Sequence, residues 1–140
     1  MADIAIFVDS RGGNTRKVAD AIAEELGVSV GDLTTPLPAD LKVLFLGSGT
    51  YGGAPRKEMM KFVTDNVFTG RRVVLFGTSM AEAGALKMIA ALEDAVTKKG
   101  ATVLGNYHCK GKFLLFNWGR PNAEDLNNAK KYSREMYRAS

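Results

Sequence analysis

The stretch Asp9-Ser10-Arg11-Gly12-Gly13-Asn14-Thr15 (DSRGGNT) joins two segments of different periodicity. Before it, residues 2–8 (ADIAIFV) form a short, nearly continuous apolar run, which predicts a strand covered on both faces. After it, Val18, Ile22 and Leu26 recur every four residues, opposite Lys17, Asp20, Glu24 and Glu25. That spacing predicts an amphipathic helix, with Gly27 as its natural stop. Two glycines at a strand-to-helix junction let the backbone turn tightly and approach a ligand. The N–H groups that open the helix, backed by its dipole, attract an anion. Ser10, Asn14 and Thr15 add side-chain donors. Such a junction suits a phosphate held without a charged cage. Taken alone, it is equally an ordinary tight turn with an N-cap.

The alternation continues along the chain. Residues 28–33 predict a short weak strand, and TTPLPAD (34–40) a turn-rich connector around Pro36 and Pro38. KVLFLG (42–47) reads as a buried strand, followed by the glycine-rich loop SGTYGGAP (48–55). Residues 55–68 predict a helix with Met59, Met60, Phe62, Val63 and Val67 on its apolar face. RRVVLF (71–76) predicts a third buried strand, with GTSMAEAG (77–84) as the loop at its end. A helix over 85–99 stops at Gly100, and 101–109 is the last strand. The segment KGKFLLFNWGRP (110–121) has no clear period. Asn122 then has the character of an N-cap, with Glu124 and Asp125 in the first turn of a closing helix that carries Leu126, Ala129, Met136 and Tyr137.

Five strands alternating with four helices imply right-handed crossovers and a mostly parallel sheet between helices. In such sheets ligands bind beyond the carboxyl ends of the strands, where strand order reverses. Three loops rich in Gly, Ser and Thr fall there, after the first, third and fourth strands. Together they favour a phosphate-bearing ligand over a bare turn. GxGxxG is missing from the first turn and GxxxxGK[ST] from the chain, which disfavours a dinucleotide fold and excludes a P-loop. A response-regulator phosphoacceptor site needs an acidic pair after the first strand, and only Asp9 stands there.

The 140 residues suit one domain over 1–140, with 46% hydrophobic residues, no low-complexity tract and no apolar run near the ~20 residues of a membrane helix. The first residues lead directly into a strand, so no signal peptide is expected. The single cysteine, Cys109, forms no intrachain disulfide, and a cytoplasmic location is expected. A net charge of +4 permits an acidic partner but does not imply nucleic acid. No metal site is expected from the lone His108 and Cys109, nor a catalytic pair, because adjacent strand residues face opposite ways. Trp118 is expected to cover the end of the core, with the ligand or a partner surface as alternatives. Lys110, Lys112 and Arg120 make its segment basic.

On these residues the chain resembles the flavodoxin family, which opens with a strand and a Ser/Thr-x-Thr-Gly-Asn-Thr loop that binds the phosphate of FMN. Ser10, Arg11, Gly12, Gly13, Asn14 and Thr15 align with that loop, departing at Gly12, where the family often has a hydroxyl residue. The resemblance implies an α/β, flavodoxin-like three-layer sandwich: a five-stranded parallel sheet in the order 2-1-3-4-5 with helices on both faces. It also implies that GTYGG is the loop lying against the flavin ring. Tyr51 would stack on the isoalloxazine and Thr50 bond its edge. The Gly52–Gly53 peptide would turn over when the flavin takes up an electron, with Gly52 presenting the carbonyl. In the third loop, Thr78 and Ser79 would face the pyrimidine end and Met80 the ring face, or Met80 would lie in the core. The second stacking aromatic that many flavodoxins place there is absent.

The reading that results is an FMN-binding electron carrier with no catalytic side chain, monomeric, without nucleic-acid or membrane partners. An NAD(P)H:quinone or flavin reductase-like oxidoreductase is the alternative, and a module with a decayed site a third. Flavodoxins are typically acidic. This chain is basic, with Arg11, Arg56 and Lys57 near the loops, so its redox partners are expected to present an acidic docking surface.

Overall fold

A computed structural model describes residues 3–112 and 117–140. The elements are β1 (Ile4–Asp9), α1 (Asn14–Leu26), β2 (Val30–Gly31), β3 (Val43–Gly49), α2 (Lys57–Asp65), β4 (Arg72–Ser79), α3 (Glu82–Lys98), β5 (Thr102–Lys110) and α4 (Ala123–Ala139). All strand pairs are parallel and the sheet order is β2-β1-β3-β4-β5, as the resemblance implied. Ala2, expected in the first strand, and residues 113–116 of the basic segment lie outside the described residues.

The continuous apolar runs make a three-layer fold because side chains alternate across a strand. Ile4, Ile6 and Val8, Val43 and Phe45, and Val74 and Phe76 pack with Val18, Ala19, Ile22 and Ala23 of α1 and Ala129 of α4. The intervening Phe7, Leu44, Leu46, Val73 and Leu75 pack with Met59, Phe62 and Val63 of α2 and Met88, Ile89, Leu92 and Val96 of α3. Each fully buried large side chain contributes about 1.5–3 kcal/mol relative to exposure. Strand β2 is only two residues long, and the connector to β3 has no helix. It is shaped instead by Asp32, whose carboxylate accepts from the Thr34 N–H and hydroxyl, both at 2.8 Å.

Several boundaries differ from expectation. Helix α2 is shorter than 55–68: Arg56 is its N-cap and Asn66 turns extended. Phe68 lies beyond the helix yet is fully buried, whereas Val67, expected on the apolar face, is exposed. Helix α3 begins at Glu82, three residues before its expected start at Ala85. Strands β3 and β4 run on through Gly49 and Ser79. These ends are too small and polar to read as strand, but neighbouring strands supply their hydrogen-bond ladders. At Gly47 a Cβ would stand 2.1 Å from the Phe76 ring, so glycine there makes room for the core aromatic on the next strand.

Helix ends follow the local signals. Gly27 ends α1 in the left-handed region (φ 71°), its N–H donating to the Ala23 carbonyl. Asn122 caps α4 in a reciprocal box: its side chain accepts from the Asp125 N–H at 2.8 Å, and Asp125 accepts from the Asn122 N–H at 2.9 Å. Asp125 also receives the Arg120 guanidinium at 2.6 and 2.8 Å. Burial, the strongest single influence, raises the Asp125 carboxyl; Arg120 and the Asn122 N–H together hold it below its ordinary value. This arrangement therefore stabilises the fold above the ordinary pKa of 3.8, and the contribution fades as the pH falls through the lower folded value. Asp125→Asn is expected to lose about 1.5–3 kcal/mol at pH 7. In urea unfolding measured across pH, the difference from wild type should shrink below about pH 4; a constant difference would contradict the assignment.

Candidate functional site

The parallel register brings four strand ends level. Asp9 pairs with Ser48, Ser48 with Gly77, and Gly77 with His108; one residue on, Gly49 pairs with Thr78 and Thr78 with Cys109. Because β1 leads to β2 on one side of the sheet while β3 leads to β4 on the other, their following loops diverge and leave a cleft between them. The cleft encloses about 560 Å³, within the range of small-molecule sites. Ser10, Arg11, Gly12, Asn14, Thr15, Thr50, Tyr51, Thr78, Ser79 and Met80 line it, together with Gly49, Gly111 and Lys112. Gly13, Gly52 and Gly53 do not line it.

In the first loop, Gly13 rather than Asn14 or Thr15 is the N-cap. It adopts the left-handed region (φ 85°) and no side chain caps the helix. Its own N–H donates to Ser10 Oγ at 3.1 Å. That bond uses a lone pair of Ser10 and leaves its hydroxyl hydrogen free. The N–H groups of Asn14, Thr15 and Arg16 have no acceptor among the described residues, so the start of α1 is open at the cleft. Gly12 is exposed, and a Cβ there would meet nothing closer than Asn14 Nδ2 at 4.0 Å.

The side chains of this loop bind the other walls. The Asn14 amide donates to the Lys112 carbonyl at 2.8 Å. Gly111 permits this approach, since a Cβ there would stand 2.8 Å from Asn14 Nδ2. The Thr15 and Thr78 hydroxyls are buried and 2.7 Å apart. Whichever donates, the other keeps its hydrogen for a group in the cleft.

The second loop is a tight hairpin. Tyr51 and Ala54 exchange backbone hydrogen bonds at 3.0 and 3.1 Å, and Gly52 and Gly53 occupy the corners at φ 62° and 76°. Both corners are left-handed, which matches a type I′ turn. The stem of Lys87 lies against Gly53, with Cδ 2.8 Å from where a Cβ would be. Tyr51 is 41% exposed. The Arg56 guanidinium stands 5.6 Å from its ring centroid. Arg56 is fixed in turn by Asp9 at 3.4 Å and Glu58 at 3.6 Å, so its charge is compensated and it is not among the free cations of this edge. Asp9 also accepts from the Met59 N–H at 3.0 Å, near the start of α2. Burial pushes the Asp9 carboxyl above its ordinary value, against the opposing pull of Arg56.

Thr78 and Ser79 belong to the end of β4 rather than to a loop. Thr50 Oγ1 donates to the Thr78 carbonyl at 2.8 Å, tying the second wall to the third. Met80 is 45% exposed and not in the core, and Trp118 is 65% exposed and does not cover the core's end. The Gly111–Lys112 wall was missed from the sequence. The bond from Asn14, spanning 98 positions, and the Gly111 N–H donating to the Ser79 carbonyl at 3.0 Å bring it to the cleft. Cys109 is buried, and burial pushes its thiol up to about 12, so it stays protonated. Among the described residues no cluster of three His, Cys, Asp or Glu could hold a metal, and no helix is long and apolar enough to cross a membrane.

Comparison with known proteins agrees with this geometry. An uncharacterised protein of Methanocaldococcus jannaschii is 28% identical over 134 aligned residues, covering 88% of this chain and 89% of that one. Among solved structures, a flavodoxin from the domain Archaea superposes with a TM-score of 0.72 at 19% identity, over 98% of this chain and 97% of that one. The rubredoxin oxygen:oxidoreductase of the anaerobe Desulfovibrio gigas superposes with a TM-score of 0.77 at 17% identity; the match covers 99% of this chain and 36% of that one. These likenesses establish the fold. A family model described as a flavodoxin domain matches residues 5–113, most of the length, and the chain therefore belongs to the flavodoxin family.

Proposed function

We propose that the cleft binds FMN and that the chain, as a monomeric single domain, carries electrons between redox proteins. One observation carries this reading: the uncapped start of α1 and the half-exposed ring of Tyr51 face the same cleft. A ligand filling it would have an anionic end and a flat end. The fit is supported by the donor set. Free N–H groups of the first helical turn, the Ser10 hydroxyl and the spare hydrogen of the Thr15–Thr78 pair all suit a phosphate and its linker. Tyr51, with Arg56 beside it, offers an aromatic face to a planar ring. Thr50, Ser79 and Met80 line the same cleft.

Bound FMN would supply the redox chemistry; the protein supplies position and electrostatics. The Gly52–Gly53 peptide is the moving part. Glycine at both corners lets the central peptide of the hairpin turn over at low cost, aiming the Gly52 carbonyl or the Gly53 N–H at the ring edge. The net charge of +4 favours acidic partners. Turnover with NADPH and a quinone would instead support a reductase.

Purified protein should be yellow, or become so when FMN is added. Gly111→Ala forces Asn14, a member of the proposed phosphate loop, from its seat. It is expected to raise the FMN dissociation constant about tenfold, the equivalent of one hydrogen bond. Calorimetric titration measures it, and equal affinity would argue against the first loop as the phosphate site. Gly52→Ala meets no neighbour but must sit at φ 62°. It is expected to make the first reduction potential more negative while changing FMN affinity less than Gly111→Ala does. Spectroelectrochemistry decides; an unchanged potential removes the turn from the mechanism. Electron exchange with an acidic protein should slow as ionic strength rises from about 0.01 to 0.5 M. A salt-independent rate in stopped flow would contradict the acidic-partner reading.

A further inference from the structure

Five large apolar side chains are exposed among the described residues: Tyr51, Val67, Met80, Leu86 and Trp118. Tyr51, Met80 and Trp118 gather at the cleft mouth. Tyr51 and Met80 line it. Trp118 follows Asn117, whose amide donates to the Met80 carbonyl at 2.8 Å.

Trp118 is the most exposed of these three, at 65%, yet hydrogen bonds hold the described residues beside it. The Asn117 amide also reaches the Gly111 carbonyl at 3.3 Å. The Arg120 N–H donates to the Asn117 carbonyl and the Lys112 N–H to the Arg120 carbonyl, both at 3.0 Å. Arg120 is locked side-on to Asp125. On this support the Lys112 ammonium stands 3.6 Å from the centroid of the indole. A rigid, displayed tryptophan loses little freedom when covered and buries much area. Tryptophan is among the residues that dominate binding energy in interfaces.

The surrounding charge selects the partner. Arg11, Lys87, Lys110 and Lys112 are exposed and join none of the ion pairs among the described residues. Glu82, at the start of α3, is the nearby acid on the third wall, and Glu58 is occupied by Arg56. We propose that Trp118 and Lys112 anchor an acidic redox protein, the indole entering an apolar depression and the ammonium meeting a carboxylate at its rim. Lys112 also lines the cleft, so a partner seated there lies against the cleft mouth. The electron-transfer role of this surface rests on the FMN reading; the docking itself does not.

Calorimetry with an acidic plant-type [2Fe–2S] ferredoxin at low ionic strength tests it, with basic cytochrome c as the opposite probe. The wild type should bind ferredoxin more tightly than cytochrome c. Trp118→Ala should raise the ferredoxin Kd about thirtyfold and leave the unfolding temperature unchanged. Lys112→Glu should raise it about tenfold, whereas Lys131→Glu on exposed α4 surface should change it less than twofold. Trp118 is the single tryptophan, so its emission reports the anchor directly. Iodide should quench it more than caesium, and Lys112→Glu should reverse that order. Failure of the wild type to bind ferredoxin, or a Trp118→Ala affinity within twofold of wild type, overturns the proposal. A protein that takes up no FMN yet shows these affinities defeats the cofactor reading and upholds the docking surface.

Discussion

A parallel sheet buried on both faces forces its strand ends into register, and the rest of this site depends on that constraint. Asp9, Ser48, Gly77 and His108 form one row because the ladders that bury Ile6, Phe45 and Val74 allow no slip; a one-residue shift would exchange the two core faces. The reversal of direction between β1 and β3 then opens a space that no neighbouring loop fills. The cleft is thus a by-product of burying two apolar layers against one sheet.

Its walls are joined almost entirely by uncharged groups. Thr15 meets Thr78, Thr50 meets the Thr78 carbonyl, and Asn14 and Asn117 each reach a carbonyl just past a different strand. Neutral bonds of this kind hold loops in place without strongly biasing the local potential. The buried charge beside these walls, Asp9, is balanced by Arg56 and by the Met59 N–H near the start of α2. What field remains at the mouth comes from exposed cations, Arg11 and Lys112 on the walls among them. A site built this way leaves the charge of the ligand to backbone dipoles and the choice of partner to the rim.

Much of the fold was legible before the structure. Residues 42–47 and 71–76 announce strands because both faces must be apolar, and Val18, Ile22 and Leu26 announce a helix because only one face must be. The strand ends at Ser48–Gly49 and Thr78–Ser79 were not legible, since their extended form is imposed by ladders to neighbours rather than by their own preferences. Val67 and Phe68 show the same limit: helical spacing placed Val67 inside, but the helix ends at Asp65 and the core takes Phe68 instead.

The sequence by itself determined the alternation of elements, the open glycine turn before α1, and the gathering of Ser, Thr and Gly at one sheet edge. These are local matters, settled by period and by the few residues that accept left-handed backbone. Tertiary structure alone decided that Gly13 rather than Asn14 caps α1, that Gly111 and Lys112 wall the cleft, that Arg56 is neutralised, and that Trp118 stands in solvent beneath an ammonium. Each depends on contacts between positions far apart in the chain, and such distances are set only when both faces of the sheet are packed.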